Sequence, residues 1–453
     1  MWNLIWVPSE SGPVLPVDRQ WDLSRSPISD DFRYTMFQWD NHFASYMLER
    51  SVGPNASAAD AGLARSVALS NLISTVRSTK TARGFGSNYA AGGSKSVDRS
   101  EPPQAARVLH TIVSECGGGC TWVAELLLDD LVDWSDWFVA ERSLQMSSKS
   151  SGNSTLISLG SSKVAGYTDS SSDTVQGARF ESGLDNSPMY DCTGGPANQT
   201  STAPGEPSCA ALFDVASQQM QIADVGMSAM VASEARFIAL LARMLPGRAA
   251  LAARMDARAD GLAAALSAHA WNEDLGAFVN RFRPGTGFNE SSAFVARVSP
   301  TSFYPLLARA ATDAQAGTMV TKWLTNRSRF AITADASGDF SGNADSNYWG
   351  LPSISADDPA FRKLGYWRGY VWGPMAQLTW WSLSEYSHLP AARAARTALA
   401  TQMTQLMLSQ WRLNRYICEN FMPHRVATDC SGTRMYHWGA LGGLLTLLDA
   451  ESV

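Results

Sequence analysis

The chain has 453 residues, 45% of them apolar and 17% charged, enough to bury a large core in a soluble protein. A net charge of −6 gives no basic footprint, which argues against nucleic acid as a partner. No stretch reads as long and apolar enough to span a membrane.

Residues 1–34 are Pro-rich and aperiodic and read as a lead-in to one domain over 35–453. Phe37, Trp39, Phe43, Met47 and Leu48 suit a helix from Met36 to Arg50 that carries Asp40 near its start. A second helix is expected over the Ala/Leu-rich residues 56–79, followed by a glycine-studded loop at 84–98. Pro102-Pro103 opens a third that runs to Cys116, proline being tolerated in a first helical turn. Residues 121–142 predict another helix, and the Ser/Gly-rich span 146–175 a loop. Ala, Leu and Met at spacings of three and four predict helices over 211–245 and 248–270. Trp271 to Phe278 reads as a short hairpin. Further helices are expected over 303–325, 368–386, 389–413 and 437–450, with polar loops at 335–350 and 414–436. The pattern is all-α, about a dozen helices, with functional residues on the long connections.

The six cysteines fall into three near pairs, Cys116 with Cys120, Cys192 with Cys209, and Cys418 with Cys430. None has the ligand company of a zinc site, so disulfides inside loops fit better. Five glycosylation sequons, at Asn55, Asn153, Asn198, Asn289 and Asn326, point with them to the secretory lumen or the extracellular space. The first residues, Met1-Trp2-Asn3-Leu4-Ile5-Trp6, lack the basic and apolar regions of a signal peptide. Either a leader lies upstream of this sequence, or the protein is cytoplasmic with its cysteines reduced.

One span concentrates chemistry. Ala178 to Asp191 holds Glu181, Asp185 and Asp191, a flexible Gly183, and Pro188, which cannot continue a helix. Taken alone it reads equally well as a solvated turn whose Asp185 and Asn186 bond to nearby amides. Three further stretches set one or two ionisable groups against aromatic rings. They are Phe37-Gln38-Trp39-Asp40-Asn41-His42-Phe43; Leu351 to Asp358 followed by Tyr366-Trp367-Arg368-Gly369-Tyr370-Val371-Trp372-Gly373-Pro374-Met375; and Cys418-Glu419-Asn420-Phe421 followed by Tyr436-His437-Trp438-Gly439. Sugar sites use that combination, because ring faces stack on indoles while Asp and Arg bind hydroxyls. A cation–π pair closing a helix start accounts for one such cluster and is strained as an account of three.

These motifs, in this order, resemble the catalytic domain of glycoside hydrolase family 63, most closely its mannosylglycerate-hydrolase-like branch and more distantly processing α-glucosidase I. The resemblance runs from about Val17 to Leu448. Asp98-Arg99-Ser100-Glu101-Pro102-Pro103 matches a further family stretch that usually has Gln before the prolines, so Glu101 is a departure that adds a carboxylate. The resemblance implies an (α/α)6 barrel with long functional loops and hydrolysis of an α-glycosidic bond with inversion. It makes Asp185 the general acid and Glu419 the general base, and it sets Trp39, Asp40, Glu101, Trp367, Arg368, Gly369, Trp372 and Trp438 around the sugar.

Inversion needs one protonated carboxyl on the leaving oxygen and one ionised carboxylate on a water at the opposite face. Asp185 is therefore expected to have a raised pKa, from burial against aromatics and nearby negative charge, and Glu419 to stay ionised. Glu181 and Asp191 read as structural acceptors flanking the acid, and Asp357-Asp358 as the start of the segment that follows them. His42, His424 and His437 lack metal-ligand spacing, and no phosphate-binding loop or nucleotide motif is present, so neither metal nor cofactor is expected. The expected partner is a carbohydrate, with the oligomeric state open. Two other readings compete: trimming of a glucosylated oligosaccharide, and a sugar-binding protein that has lost turnover.

Overall fold

The computed structural model describes residues 4–7, 12–15, 35–52, 56–91, 94–146, 154–194, 206–286, 293–332, 350–361, 365–423 and 430–451. Asn55, Asn153, Asn198, Asn289, His424 and nearly all of the loop at 335–350 lie outside them. Twelve α-helices occur among the described residues. They are α1 (Gln38–Arg50), α2 (Ala58–Thr79), α3 (Ala105–Glu115), α4 (Thr121–Arg142), α5 (Val175–Glu181), α6 (Cys209–Leu212), α7 (Val225–Arg243), α8 (Ala249–His269), α9 (Asp313–Met319), α10 (Gly373–Ser384), α11 (Pro390–Asn414) and α12 (Leu441–Glu451). Among the described residues the strands are short and form seven small sheets of two or three strands. The all-α reading holds.

The chain divides into two compact units. The first comprises Met1–Ser143, Gly160–Gly183 and Met230–Gly261. In its core Val108, Leu109, Ile112 and Val113 of α3 and Leu127, Leu128 and Leu131 of α4 are buried at helical spacing, together with Trp134, Trp137 and Phe138 of α4. Ser57 caps α2 by accepting from the Asp60 amide at 3.1 Å, the expected economy of a serine before an Ala-rich run. Pro102 and Pro103 stand ahead of α3 rather than inside it. The helix begins at Ala105, and the buried carboxylate of Glu234 takes the first-turn amides of Ala106 and Arg107 at 2.5 and 3.4 Å. Burial pushes the Glu234 carboxyl up to about 7, against the pull of those two amides and of Arg107.

The second unit comprises Leu144–Leu159, Leu184–Ala229 and Leu262–Val453. Here α10, α11 and α12 pack together through Met375, Leu378, Leu383, Leu399, Met403, Leu406, Leu441 and Leu445, all buried. Asp449 of α12 ties the three, receiving the Trp380 indole at 3.2 Å, Arg396 at 2.8 Å and the Thr397 hydroxyl at 2.7 Å. The hairpin over Trp271–Asn272 and Ala277–Phe278 is as expected.

Three expected helices are shorter or broken. The span 211–245 starts with Phe213–Asp214 paired to Gln219–Met220, because Asp214 holds a turn by accepting from the amides of Ala216 and Ser217. The helix then starts at Val225, where Asp224 accepts from the Met227 amide at 2.7 Å. The span 303–325 divides into a 3-10 segment at Pro300–Leu306 with Pro305 inside it, then α9 behind a Thr312–Gln315 capping box, then one π turn at Val320–Leu324. The span 368–386 becomes helical only at Gly373, with Pro374 in the first turn.

One expectation needs correction. At 19 residues, α7 is long and apolar enough to cross a membrane by length and composition, but most of it is buried inside the protein. Its apolar face is spent on the core.

Candidate active site

Glu419 sits on the strand Cys418–Phe421, which pairs antiparallel with Cys430–Arg434. The ladder runs Cys418 to Arg434 and Asn420 to Ser431, so Gly432 and Thr433 together face the single residue Glu419. Such a bulge bends the strand and re-aims the side chain beside it. Gly432 has φ +72°, and a Cβ there would stand 2.2 Å from Oε2 of Glu419. Only glycine satisfies both demands. The carboxylate then accepts from the Thr433 amide at 2.9 Å on Oε2 and from the Tyr366 hydroxyl at 2.5 Å on Oε1. Burial pushes the Glu419 carboxyl up, while these two donors pull it back. A disulfide between Cys418 and Cys430 ties the two strands.

Asp185 and Asn186 follow Leu184 in a turn and are half-buried. Asn186 is held on every side. Its Oδ1 accepts from the Trp367 amide at 2.9 Å, its Nδ2 donates to the Gly365 carbonyl at 3.3 Å, and its own carbonyl accepts from Arg368 at 3.1 Å. Arg368 in turn grips Asp191 with both terminal nitrogens, at 2.7 and 2.8 Å. That pair is buried and continues into Arg297, which also binds Glu206 and, at 2.5 Å, Asp358. The fork geometry is one that arginine supplies and lysine does not. The segment bearing Asp185 is thus pinned by charge and amide contacts, whereas Glu419 is held by a bulge and two donors.

The tryptophans form a nest. The Trp367 and Trp372 rings stack at 3.5 Å and 6° between planes, and Trp438 meets both edge-on at 6.1 and 5.8 Å. Tyr366 stands edge-on to Trp372 at 4.8 Å. Trp367 and Trp372 are at most 1% exposed and Trp438 is 4% exposed. Gly369 donates its amide to Ser353 Oγ at 2.8 Å.

The first unit carries its own set. Glu101 is buried and accepts from the Trp39 amide at 2.9 Å and from Asn88 Nδ2 at 2.8 Å, which holds the first turn of α1. Asp40 is buried in that same turn, where a carboxylate complements the helix dipole. The Trp39 indole lies against Gly183, whose φ is +70° and whose missing Cβ would come within 2.5 Å of the ring. Glu181 is fully buried and receives Arg142 at 2.6 and 3.0 Å, with the amides of Ser100 at 2.9 Å and Gly160 at 2.6 Å. His42 is buried, which pushes its imidazole down to about 3 and leaves it neutral. Among the described residues, no group of three His, Cys, Asp or Glu is placed to hold a metal ion.

The family described as Mannosylglycerate hydrolase MGH1-like glycoside hydrolase domain matches residues 68–439, most of the chain. The chain belongs to this family. It is a glycosidase. No curated protein matches it. Among solved structures it is similar to the GH63 mannosylglycerate hydrolase from Thermus thermophilus in complex with glucose, at 17% identity and TM-score 0.61, over 91% of this chain and 92% of that one. The same enzyme in complex with Tris and D-glycerate gives 16% identity and TM-score 0.60, over 91% and 93%. The neutral trehalase Nth1 from Saccharomyces cerevisiae gives 16% identity and TM-score 0.62, over 98% of this chain and 76% of that one. These likenesses carry the (α/α)6 barrel fold.

Within this MGH1-like domain several expected roles change weight. Arg368, expected at the sugar, has its terminal nitrogens engaged by Asp191 and the Asn186 carbonyl. Trp367, Trp372 and Trp438 use their ring surface on one another, and Glu101 uses its carboxylate on α1. Indole and guanidinium density in a sequence cannot separate a sugar platform from the nest behind it, since both need the same residue types. Sequence reasoning misses the parts played by Tyr366, Gly432 and Thr433. A glycine opposite a carboxylate across a hairpin is the signal that finds them. Gly432→Ala should displace the Glu419 carboxylate and, on the role its motif implies, lower kcat by about a hundredfold, the cost of a shift of roughly 1 Å. Steady-state kinetics on a variant with unchanged circular dichroism test this, and wild-type kcat would show that the carboxylate can move without loss.

Proposed function

We propose that the protein hydrolyses an α-mannosyl or α-glucosyl bond of a small glycoside, of the mannosylglycerate or glucosylglycerate type, with inversion. Asp185 gives its proton to the glycosidic oxygen as the bond to the anomeric carbon breaks. Glu419 takes a proton from a water whose oxygen forms the new bond from the opposite face. The two carboxyls of an inverting pair stand about 6.5–9.5 Å apart, which leaves room for that water. The observation that carries this reading is the mounting of Glu419. A carboxylate held by two oriented donors opposite a β-bulge is a base fixed in place before substrate arrives. Membership of the family supports it, as does the likeness to a mannosylglycerate hydrolase.

A second reading is trimming of a glucosylated oligosaccharide in an oxidising compartment. The pairing of Cys116 with Cys120, Cys192 with Cys209 and Cys418 with Cys430 at bonding distance favours it. One screen addresses both. α-Mannosylglycerate, α-glucosylglycerate, trehalose and a glucosylated oligosaccharide are supplied separately, and NMR follows the first-formed anomer. Turnover of a small glycoside with β-sugar appearing first is expected. Release of α-sugar first would overturn inversion, and turnover of the oligosaccharide alone would move the substrate to the second reading.

A further inference from the structure

Tyr366 lies between the two proposed catalytic segments. Its φ is +57°, a left-handed conformation uncommon for a bulky residue and one that persists only where surroundings enforce it. Its neighbours supply that enforcement. Asn186 bonds to the carbonyl of Gly365 and the amide of Trp367, so its side chain brackets Tyr366 from both sides. The Arg368 amide closes the turn onto the Gly365 carbonyl at 3.0 Å. The Tyr366 carbonyl accepts from the Tyr370 amide and from the Trp372 indole, each at 3.3 Å. Trp367 and Trp372 wall the ring at 75° and 81°. What emerges from this clamp is one hydroxyl, 2.5 Å from Oε1 of Glu419.

We propose that Tyr366 is a positioning residue for Glu419, aimed by Asn186, so that the turn over residues 365–368 braces the base against the segment that carries Asp185. The proposal rests on Glu419 acting as the base. The Tyr366 hydroxyl donates to the carboxylate and favours its ionised form, while the bond fixes which lone pair faces the water. Val371 and Phe421 exchange two backbone hydrogen bonds, at 2.8 and 3.0 Å, and lock the turn to the strand of Glu419. The brace therefore has a backbone part that no side-chain exchange removes and a phenolic part that one exchange does.

Tyr366→Phe in the full chain removes the hydroxyl and keeps the ring. Three readouts are taken: kcat, KM, and the pH profile of kcat/KM. Expected are a fall in kcat of about tenfold or more with KM little changed, and an acid limb displaced upward by about one pH unit, the worth of a hydrogen bond to a charged group. Asn186→Ala, which frees the turn and leaves the hydroxyl in place, should displace the limb in the same direction. The double variant should lose less than the product of the two losses, because both act on one brace. A purely structural tyrosine would lower activity and melting temperature together and leave the acid limb where it was, and that result overturns the proposal. Glu419→Gln separates the two readings. If it is inactive while Tyr366→Phe matches wild type, the role of Tyr366 fails alone; if it is active, the assignment of the base fails first.

Discussion

Asp185→Asn and Glu419→Gln should each lower kcat on a natural glycoside by about 10²–10⁴-fold, the worth of a positioned acid or base. The two variants should then part company on an activated substrate. An aryl or fluoride leaving group departs without a proton, so Asp185→Asn should recover much of its rate on such a substrate. Glu419→Gln should not, because the attacking water still needs a base. Single-turnover rates on both substrate types measure this. A variant that keeps more than about a tenth of wild-type kcat on the natural glycoside loses its proposed role, and recovery of the Glu419 variant on the activated substrate would exchange the two assignments.

The second large effect concerns stability. Arg368→Ala should cost about 3–5 kcal/mol, the penalty of leaving one partner of a buried ion pair without the other. Asp191 is fully buried, and the next guanidinium, Arg297, approaches it only to 3.7 Å while also serving Glu206 and Asp358. Arg368→Lys should retain part of the charge and lose the bidentate geometry, and fall between the two. Urea midpoints at constant slope report the difference. A loss below about 1 kcal/mol for the alanine variant would place it with exposed pairs and remove Arg368 as the anchor of the segment that bears Asp185.

The long helices are legible in the sequence wherever an apolar face repeats for several turns. Those at 58–79, 121–142, 249–269 and 390–414 lie within a few residues of where the periodicity puts them. Legibility fails where local hydrogen bonding overrides composition. Asp214 turns the chain inside a run of helix formers, and Pro305 and Thr312 break another. The proposed acid and base are visible because each sits in a motif. Their mounting is hidden. The bond from the Trp367 amide to Asn186 joins residues 181 apart, and that from Tyr366 to Glu419 joins residues 53 apart. No local pattern encodes either. The aromatic clusters are legible in the sequence, but not how their rings sit: Trp367 and Trp372 are stacked on one another and buried.

The two-against-one mismatch opposite Glu419 has an evolutionary consequence. A strand alternates its side chains with a period of two, so deleting one residue from 430–434 would restore a regular ladder and straighten the strand that faces Glu419. Point changes at solvent-facing positions there alter only a surface. A single-codon loss would be silent to composition and costly to the carboxylate's aim. Functional members of such a lineage should therefore vary at the solvent-facing positions of this hairpin, keep Glu419, Gly432 and the Cys418–Cys430 pair, and hardly vary at all in its count.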